Sequence, residues 1–486
     1  MKLQDSGLFR SQGWVNGEWT DGNGGEWTVF NPATGEPLGE VTRFTVEDTR
    51  RAVTLAHEAQ NAWKRECAGT RSTIVRRFGE LMMVHQEDLA QIVTAEEGKP
   101  LAESRGEIAY AASFLQWFSE EALRVYGETI PAHRRDLRLT VHREPVGVAA
   151  AITPWNFPSA MITRKLGPAL ALGCAMVLKP AEDTPFSALA LGELSRRAGV
   201  PPGLFNVVTG SSEDSASIGK ELCENPLIRK LSFTGSTAVG KLLLKQCAST
   251  VKRVSLELGG NAPFIVFDDA DLDAAVLGAV GCKFRNAGQV CVAANRFLVQ
   301  EGVYDAFADR FAQAISSINV GNGAEREVQM GPLITPAGLA KVEHHVADAV
   351  EKGAEVRVGG ACHPRGGTFF MPTLLTDTTP EMVLSKEETF GPVAGLTRFK
   401  SEEDALKMAN DTRAGLAAYF YAQDNARVWR VSEGLEYGMV GANTGLVSTA
   451  VAPFGGMKES GLGREGSHLG ADEWLETKYV CVGGIS

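Results

Sequence analysis

Between Val146 and Gln246 short apolar β-prone runs alternate with helix-like stretches, and this alternation limits what the chain can fold into more than any other feature. Val146–Ile152, Ala175–Leu178, Leu204–Val208 and Lys230–Phe233 read as strands. Pro158–Leu172, Pro185–Ala198, Ser215–Glu221 and Thr237–Gln246 read as the helices between them. Strands joined through helices lie parallel, and a parallel sheet must be covered on both faces, so the class is α/β. A second alternating region begins at Phe264–Phe267, passes through helices near Asp271–Phe284 and Tyr304–Ile315, and runs to about Ser432. The two regions divide at Glu257–Asn261, where Gly259 and Gly260 break the pattern. Ahead of them come a strand-and-turn opening, helical spacing over Val46–Gly98 and Ala102–Tyr126, and a β-prone segment at Arg138–Glu144. Tyr479–Val482 reads as a last strand.

With 486 residues, the chain exceeds what one hydrophobic core serves, so at least two domains are expected. The net charge of -11 argues against nucleic acid or an anionic membrane as partner. Apolar runs are broken by Gly and Pro well short of a membrane span, and the opening stretch lacks the apolar centre of a secretory signal. Eight cysteines are scattered without a C-x-x-C pair, which suits reduced thiols in a cytoplasmic protein and leaves a metal site without a local signature.

Ligands of open α/β sheets sit beyond the carboxyl ends of the strands. Lys179 lies at such an end and Glu182 follows it; together they suit the hydroxyls of a ribose, or equally a surface ion pair. Phe233-Thr234-Gly235-Ser236 closes a strand and opens a helix, where free N–H groups suit a pyrophosphate and Ser236 suits an ordinary N-cap. Gly461, Gly463 and Gly466 spell G-x-G-x-x-G, but no strand or βαβ unit is evident around them, so they do not read as a dinucleotide fingerprint. Cys291 follows the small-residue stretch Asn286-Ala287-Gly288, which leaves room around a thiol, although a lone cysteine equally suits a buried small hydrophobe. Glu257 stands among apolar residues at a strand end, where burial would suit it to accept protons near neutral pH, or where it could be a structural glutamate tied to backbone N–H groups. Asn156, in Thr153-Pro154-Trp155-Asn156, can donate to an oxyanion or simply form a turn. His344 and His345 read as the solvated face of an amphipathic helix, so no Cys-His or Ser-His-Asp scheme is favoured.

Taken together, TPWNFP (153–158), LKPAE (178–182), FTGS (233–236), LELGGNAP (256–263), GQVC (288–291), EETFGPV (387–393) and PFGGMKESGLGREG (453–466) resemble the aldehyde dehydrogenase superfamily, in the family's order and over most of the chain. The similarity is strongest to bacterial succinate-semialdehyde dehydrogenases, through ITRKLGPALALGC, KFRNAGQVC and APFGGMKESGLGREG. The resemblance implies a cofactor-binding domain over 1–127 and 148–256, a catalytic domain over 257–471, and a small β oligomerisation element over 128–147 and 472–486. It implies Cys291 as nucleophile, Glu257 as general base and Asn156 in the oxyanion hole. Cofactor contacts would come from Thr153, Trp155, Lys179, Glu182, Phe233, Gly235, Ser236, Leu258, Glu388 and Phe390, and a substrate carboxylate would be held by Arg164, Arg285 and Ser448. The implied reaction is NAD(P)-dependent oxidation of succinate semialdehyde to succinate through a cysteine thioester, in a homodimer or homotetramer. The alternatives are glutarate semialdehyde or another ω-carboxylated aldehyde and, in another class, a cofactor-free Cys/Glu thioester or ester hydrolase. Two positions depart from the branch. Ala293 stands where many relatives carry a second cysteine, so a redox-switch disulfide is not expected. Glu182 stands where NADP-preferring relatives often have a small residue, so NAD is expected as the cofactor, with NADP possible.

Overall fold

A computed structural model describes residues 1–485. Five parallel strands form the centre of its first sheet, in the order Arg253–Glu257, Ile228–Thr234, Val148–Ile152, Ala175–Lys179 and Phe205–Val207. Antiparallel strands flank both sides: Gly461–Leu462 beside Arg253–Glu257, and Gly13–Val15 beside Phe205–Val207. Val148–Ile152 is followed in sequence by strands laid to one side of it, and then by strands laid to the other. The order therefore reverses between Val148–Ile152 and Ile228–Thr234, and a crevice opens outside the carboxyl ends of these strands. Helices Ala160–Ala171 and Pro185–Ala198 are buried over nearly their whole length, and the charged Arg164 and Lys165 of the first are met there by Glu465.

The second sheet runs Glu355–Val358, Thr373–Thr376, Val393–Phe399, Ala294–Gln300, Ala262–Val266, Ala417–Tyr421 and Met439–Ala442, parallel except at its first strand. Successive residues of a strand face opposite ways, so the sheet feeds two cores. Phe264 and Val266 join Phe297 and Tyr419 on one face, while Ile265 and Phe267 join Leu298 and Phe420 on the other. Residues 258–261 carry the chain from the first sheet to the second. A third sheet pairs Arg138–Pro145 with Glu128–Ile130 and, residue for residue, with Leu475–Val482.

The structure sharpens or corrects four expectations. The helical spacing over Val46–Gly98 is three helices, Val46–Trp63, Ala68–Val84 and Gln86–Glu97, the last ended by Gly98 in the left-handed region at φ 99°. The helix from Leu101 ends at Glu121 rather than Tyr126. There the chain turns towards the third sheet, and at Gly127 a Cβ would stand 2.3 Å from the Val141 carbonyl oxygen. The last strand starts at Leu475, four residues earlier than its apolar end announces, because its register with Arg138–Pro145 includes polar Thr477 and Lys478. A short strand does open the Gly461-Gly463-Gly466 motif, but it lies antiparallel at a sheet edge, outside any βαβ unit.

Candidate active site

The crevice at the reversal point is a cleft of about 410 Å³. Pro154, Trp155 and Asn156 reach it from the end of Val148–Ile152, Gly235 and Ser236 from the end of Ile228–Thr234, and Glu257 and Leu258 from the end of Arg253–Glu257. Helix Thr237–Cys247 starts here, capped by the Ser236 hydroxyl, which accepts from the Val239 N–H at 3.4 Å. Its positive end and spare N–H groups suit a phosphate. Gly240 allows that helix to settle on Leu258, since a Cβ would fall 2.4 Å from the leucine side chain. From the second sheet come Cys291, Glu388 and Phe390; Phe390 meets the Trp155 ring edge-on at 5.6 Å.

Cys291 follows a constrained turn. Asn286 and Ala287 hold left-handed backbone at φ 50° and 53°, a conformation unfavourable for alanine, and Gly288 continues it at φ 75°. At Gly288 a side chain would strike the Gly391 carbonyl oxygen at 2.2 Å, and at Gly260 it would strike that of Cys291 at 2.3 Å. These two glycines therefore let the backbone around Cys291 close in on its neighbours. The cysteine lies deep in the protein yet faces two cavities, so it is only partly covered. Burial pushes its thiol up to about 12, with Arg164 working the other way. A thiol so raised rests protonated, and only with a base beside it would it act as a nucleophile.

Glu257 lines the same cleft, and its Oε2 is buried without a hydrogen-bond partner. It is not tied to backbone N–H groups. Burial and the neighbouring Glu465 carboxylate push it well above the ordinary carboxylate range, against Arg164, Lys165 and Arg464. Although burial also works against Glu465, Lys165 and Arg164 keep it ionised. The two acids are thus set apart, one inclined to hold a proton and the other not. Asn156 donates from Nδ2 to the Gln289 carbonyl at 2.9 Å, which leaves its second amide hydrogen for another acceptor. Glu388 accepts from the Gly260 N–H at 3.1 Å, and burial raises it to about 7.

On the far side of Cys291 lies a second cavity of about 270 Å³, small for a ligand site and suited to a short molecule. Arg164, Arg285 and Ser448 line it with Tyr110, Met161 and Phe454. Arg164 stands 2.8 Å from Glu465 and stacks 3.7 Å from the Phe454 ring centre, while its Nη2 has no partner. The Arg285 Nε is also buried and unpaired.

A sequence profile described as the aldehyde dehydrogenase family matches residues 19–480. The chain belongs to the aldehyde dehydrogenase family. This aldehyde dehydrogenase is similar to succinate-semialdehyde dehydrogenase (NADP(+)) GabD of Escherichia coli K12, 61% identical over 99% of this chain and 100% of the relative. It is also similar to a glutarate-semialdehyde dehydrogenase of Pseudomonas aeruginosa, 59% identical over the full length of both. A crystal structure of an E. coli NADP-dependent enzyme matches it with a TM-score of 0.98 at 61% identity, covering 99% of this chain and 100% of that one.

Not every residue singled out in the sequence reaches the cleft of this aldehyde dehydrogenase. Thr153 and Phe233 are buried beside it: Thr153 donates its N–H to the Lys179 carbonyl, and the Phe233 ring lies under Gly235. Lys179 and Glu182 stand together at 3.4 Å, with Glu182 lining a separate groove of about 760 Å³ beside Asp183. His345 is a correction. It shares the inner face of helix Pro336–Glu351 with Val342, three residues before it, and burial drives its imidazole down to about 4. It meets Thr389 at 3.1 Å and stays neutral.

The sequence reading missed Lys99. In this aldehyde dehydrogenase its ammonium is fully buried, donates to the Asn156 carbonyl at 2.5 Å and to Glu107 at 2.8 Å, and lies 3.9 Å from the Phe157 ring centre. Glu107 accepts in turn from the N–H groups of Ser159 and Ala160. The pair clamps residues 156–160 and so positions the Asn156 amide. Its only sequence signal is the charge-rich break Glu96-Glu97-Gly98-Lys99-Pro100 between two helices.

Proposed function

We propose that this enzyme oxidises succinate semialdehyde to succinate, using NAD in preference to NADP. One observation carries the reading: Cys291 stands between a cleft built from strand ends and a helix start, and a small cavity in which arginine donors lie unpaired. The cleft suits a dinucleotide. Gly235, Ser236 and the start of helix Thr237–Cys247 would hold its phosphates, and the buried carboxylate of Glu388 would take a ribose hydroxyl. Thr153, Trp155, Phe233, Leu258 and Phe390 would shape the cleft around it. When bound, the nicotinamide supplies the hydride acceptor that turns a thiohemiacetal into a thioester.

The chain's own residues do the rest. Glu257, inclined to hold a proton, takes one from the Cys291 thiol. The thiolate then adds to the aldehyde carbon, and the spare Asn156 amide hydrogen with the Cys291 N–H meets the oxygen as it gains charge. Glu257 then passes that proton to solvent and, ionised again, takes one from water, which attacks the thioester carbon, expels the Cys291 thiolate and frees the acid. Arg164 and Arg285, with Ser448, bind the distal carboxylate and so place the aldehyde at the sulfur.

Glu182 is one-third exposed and stands beside Asp183, which burial and the Glu182 charge lift to about 6. A 2′-phosphate brought to this pair meets negative charge, softened by Lys179, whereas a 2′-hydroxyl meets an acceptor. Residues 1–127 and 148–256 would form the cofactor domain, 257–471 the catalytic domain, and 128–147 with 472–486 the oligomerisation element, of which residue 486 lies outside the described residues. A homodimer or homotetramer is supported by the outer strand Leu475–Val482 with exposed Tyr479 and Val482, and by exposed Val239, Leu242 and Leu244 on helix Thr237–Cys247. No helix of the described residues is long and apolar enough to cross a membrane, and all eight cysteines are free, which suits the cytoplasm. Initial rates with succinate semialdehyde, glutarate semialdehyde and butanal, each with NAD and NADP, test the reading. Succinate semialdehyde with NAD is expected to lead, with glutarate semialdehyde within about 10–200-fold because one methylene separates them. Butanal as the best substrate would overturn it.

A further inference from the structure

Four donor side chains converge on the cavity beyond Cys291, and one of them, Tyr110, belongs to no motif. It projects from helix Leu101–Glu121, its ring fixed edge-on against Phe114 at 5.0 Å and 81°. Its hydroxyl is buried and makes no hydrogen bond, although that of Ser448 lies beside it. The Arg164 Nη2 and the Arg285 Nε are unpaired at the same cavity. A buried donor without an acceptor is destabilising, and native structures seldom tolerate one. Three around one cavity are accounted for together if each awaits the same anion.

We propose that the Tyr110 hydroxyl is a further ligand of the substrate's distal carboxylate and one source of the preference for ω-carboxylated aldehydes over uncharged ones. This rests on the succinate semialdehyde reading. A carboxylate offers about four lone-pair sites, and two guanidinium groups, Ser448 and Tyr110 can supply a donor to each. The two acids that also line the cavity do not compete for these donors. Glu107 is occupied by Lys99 and by the Ser159 and Ala160 N–H groups, and Glu103 accepts from the Asn286 N–H at 2.8 Å. Burial raises the Tyr110 phenol above its ordinary range, so it stays protonated and able to donate.

Tyr110→Phe removes the hydroxyl and keeps the ring, so the packing against Phe114 survives. The variant should lose about tenfold in kcat/KM for succinate semialdehyde, mostly through KM, as expected for one hydrogen bond to a charged group. Butanal oxidation should stay within about twofold of wild type, because no anion reaches the hydroxyl. Inhibition of butanal oxidation by succinate should weaken by a factor similar to the loss on succinate semialdehyde, which reads carboxylate binding apart from turnover. Unchanged kinetics on succinate semialdehyde, or equal losses on both aldehydes, would overturn the role of Tyr110. A wild-type enzyme that does not favour succinate semialdehyde over butanal would overturn the substrate reading itself.

Discussion

The two cavities that meet at Cys291 are built from different material. The cofactor-side cleft is made of strand ends, a helix start and glycines: Gly235, Gly259 and Gly260 line or border it, and its shape follows from where backbone can approach backbone. The far cavity is made of side chains: Tyr110 from one helix, Met161 and Arg164 from another, Arg285 from the turn before the cysteine, and Ser448 and Phe454 from a distant loop. On the proposed function the first would support chemistry common to any aldehyde, and the second would decide which aldehyde arrives. Substitutions at the shared centre should therefore affect all substrates alike, whereas substitutions in the far cavity should separate them.

The largest effect is expected at the shared centre. Cys291→Ala should abolish oxidation of every aldehyde, by on the order of 10⁴-fold or more, because among the described residues no other nucleophile faces both cavities. Dinucleotide binding measured by calorimetry should persist. Residual turnover near wild type would mean that Cys291 only packs. Glu257→Gln should slow both the first release of reduced cofactor and the steady rate, the latter by on the order of 10²–10⁴-fold, with the same pattern for charged and uncharged aldehydes. A base raised above its ordinary range is protonated, and idle, below its own titration point. Wild-type turnover should therefore climb as pH rises through that point, and the climb should vanish in the glutamine variant.

The two arginines sharpen the contrast within the far cavity. Among the described residues Arg285 has no ion-pair partner and its Nε is free, so Arg285→Ala should reduce kcat/KM for succinate semialdehyde by about 10–100-fold while leaving butanal and the melting temperature nearly unchanged. Arg164 is buried and paired with Glu465, so Arg164→Ala should also destabilise the fold by roughly 3–5 kcal/mol, visible in thermal unfolding. If the two variants behave alike in melting, the pairing of Arg164 is not structural. The smallest effect is expected farthest from the chemistry. Glu182→Ser should shift the NADP-to-NAD ratio of kcat/KM upward by about threefold to tenfold, since the carboxylate is partly screened by solvent. An unchanged ratio would separate Glu182 from cofactor choice.

The sequence alone determined the alternating architecture, the ordered motifs and the residues at the strand ends. These depend on local apolar periodicity, on turn residues and on where a strand stops, all of which are written within a few neighbouring positions. It also pointed to Cys291, Glu257 and Asn156, because each sits in such a stretch. Other features rest on contacts between distant segments. Lys99 clamps a carbonyl 57 residues away. His345 is buried because one helix face meets the second sheet's core, where its pattern alone suggested water. Tyr110 joins Arg164, Arg285 and Ser448 only once the chain from residue 110 to residue 448 is folded around one cavity. Tertiary structure decided these because a side chain's partner, burial and proton affinity depend on what the fold places against it, and at such separations no spacing in the chain records that.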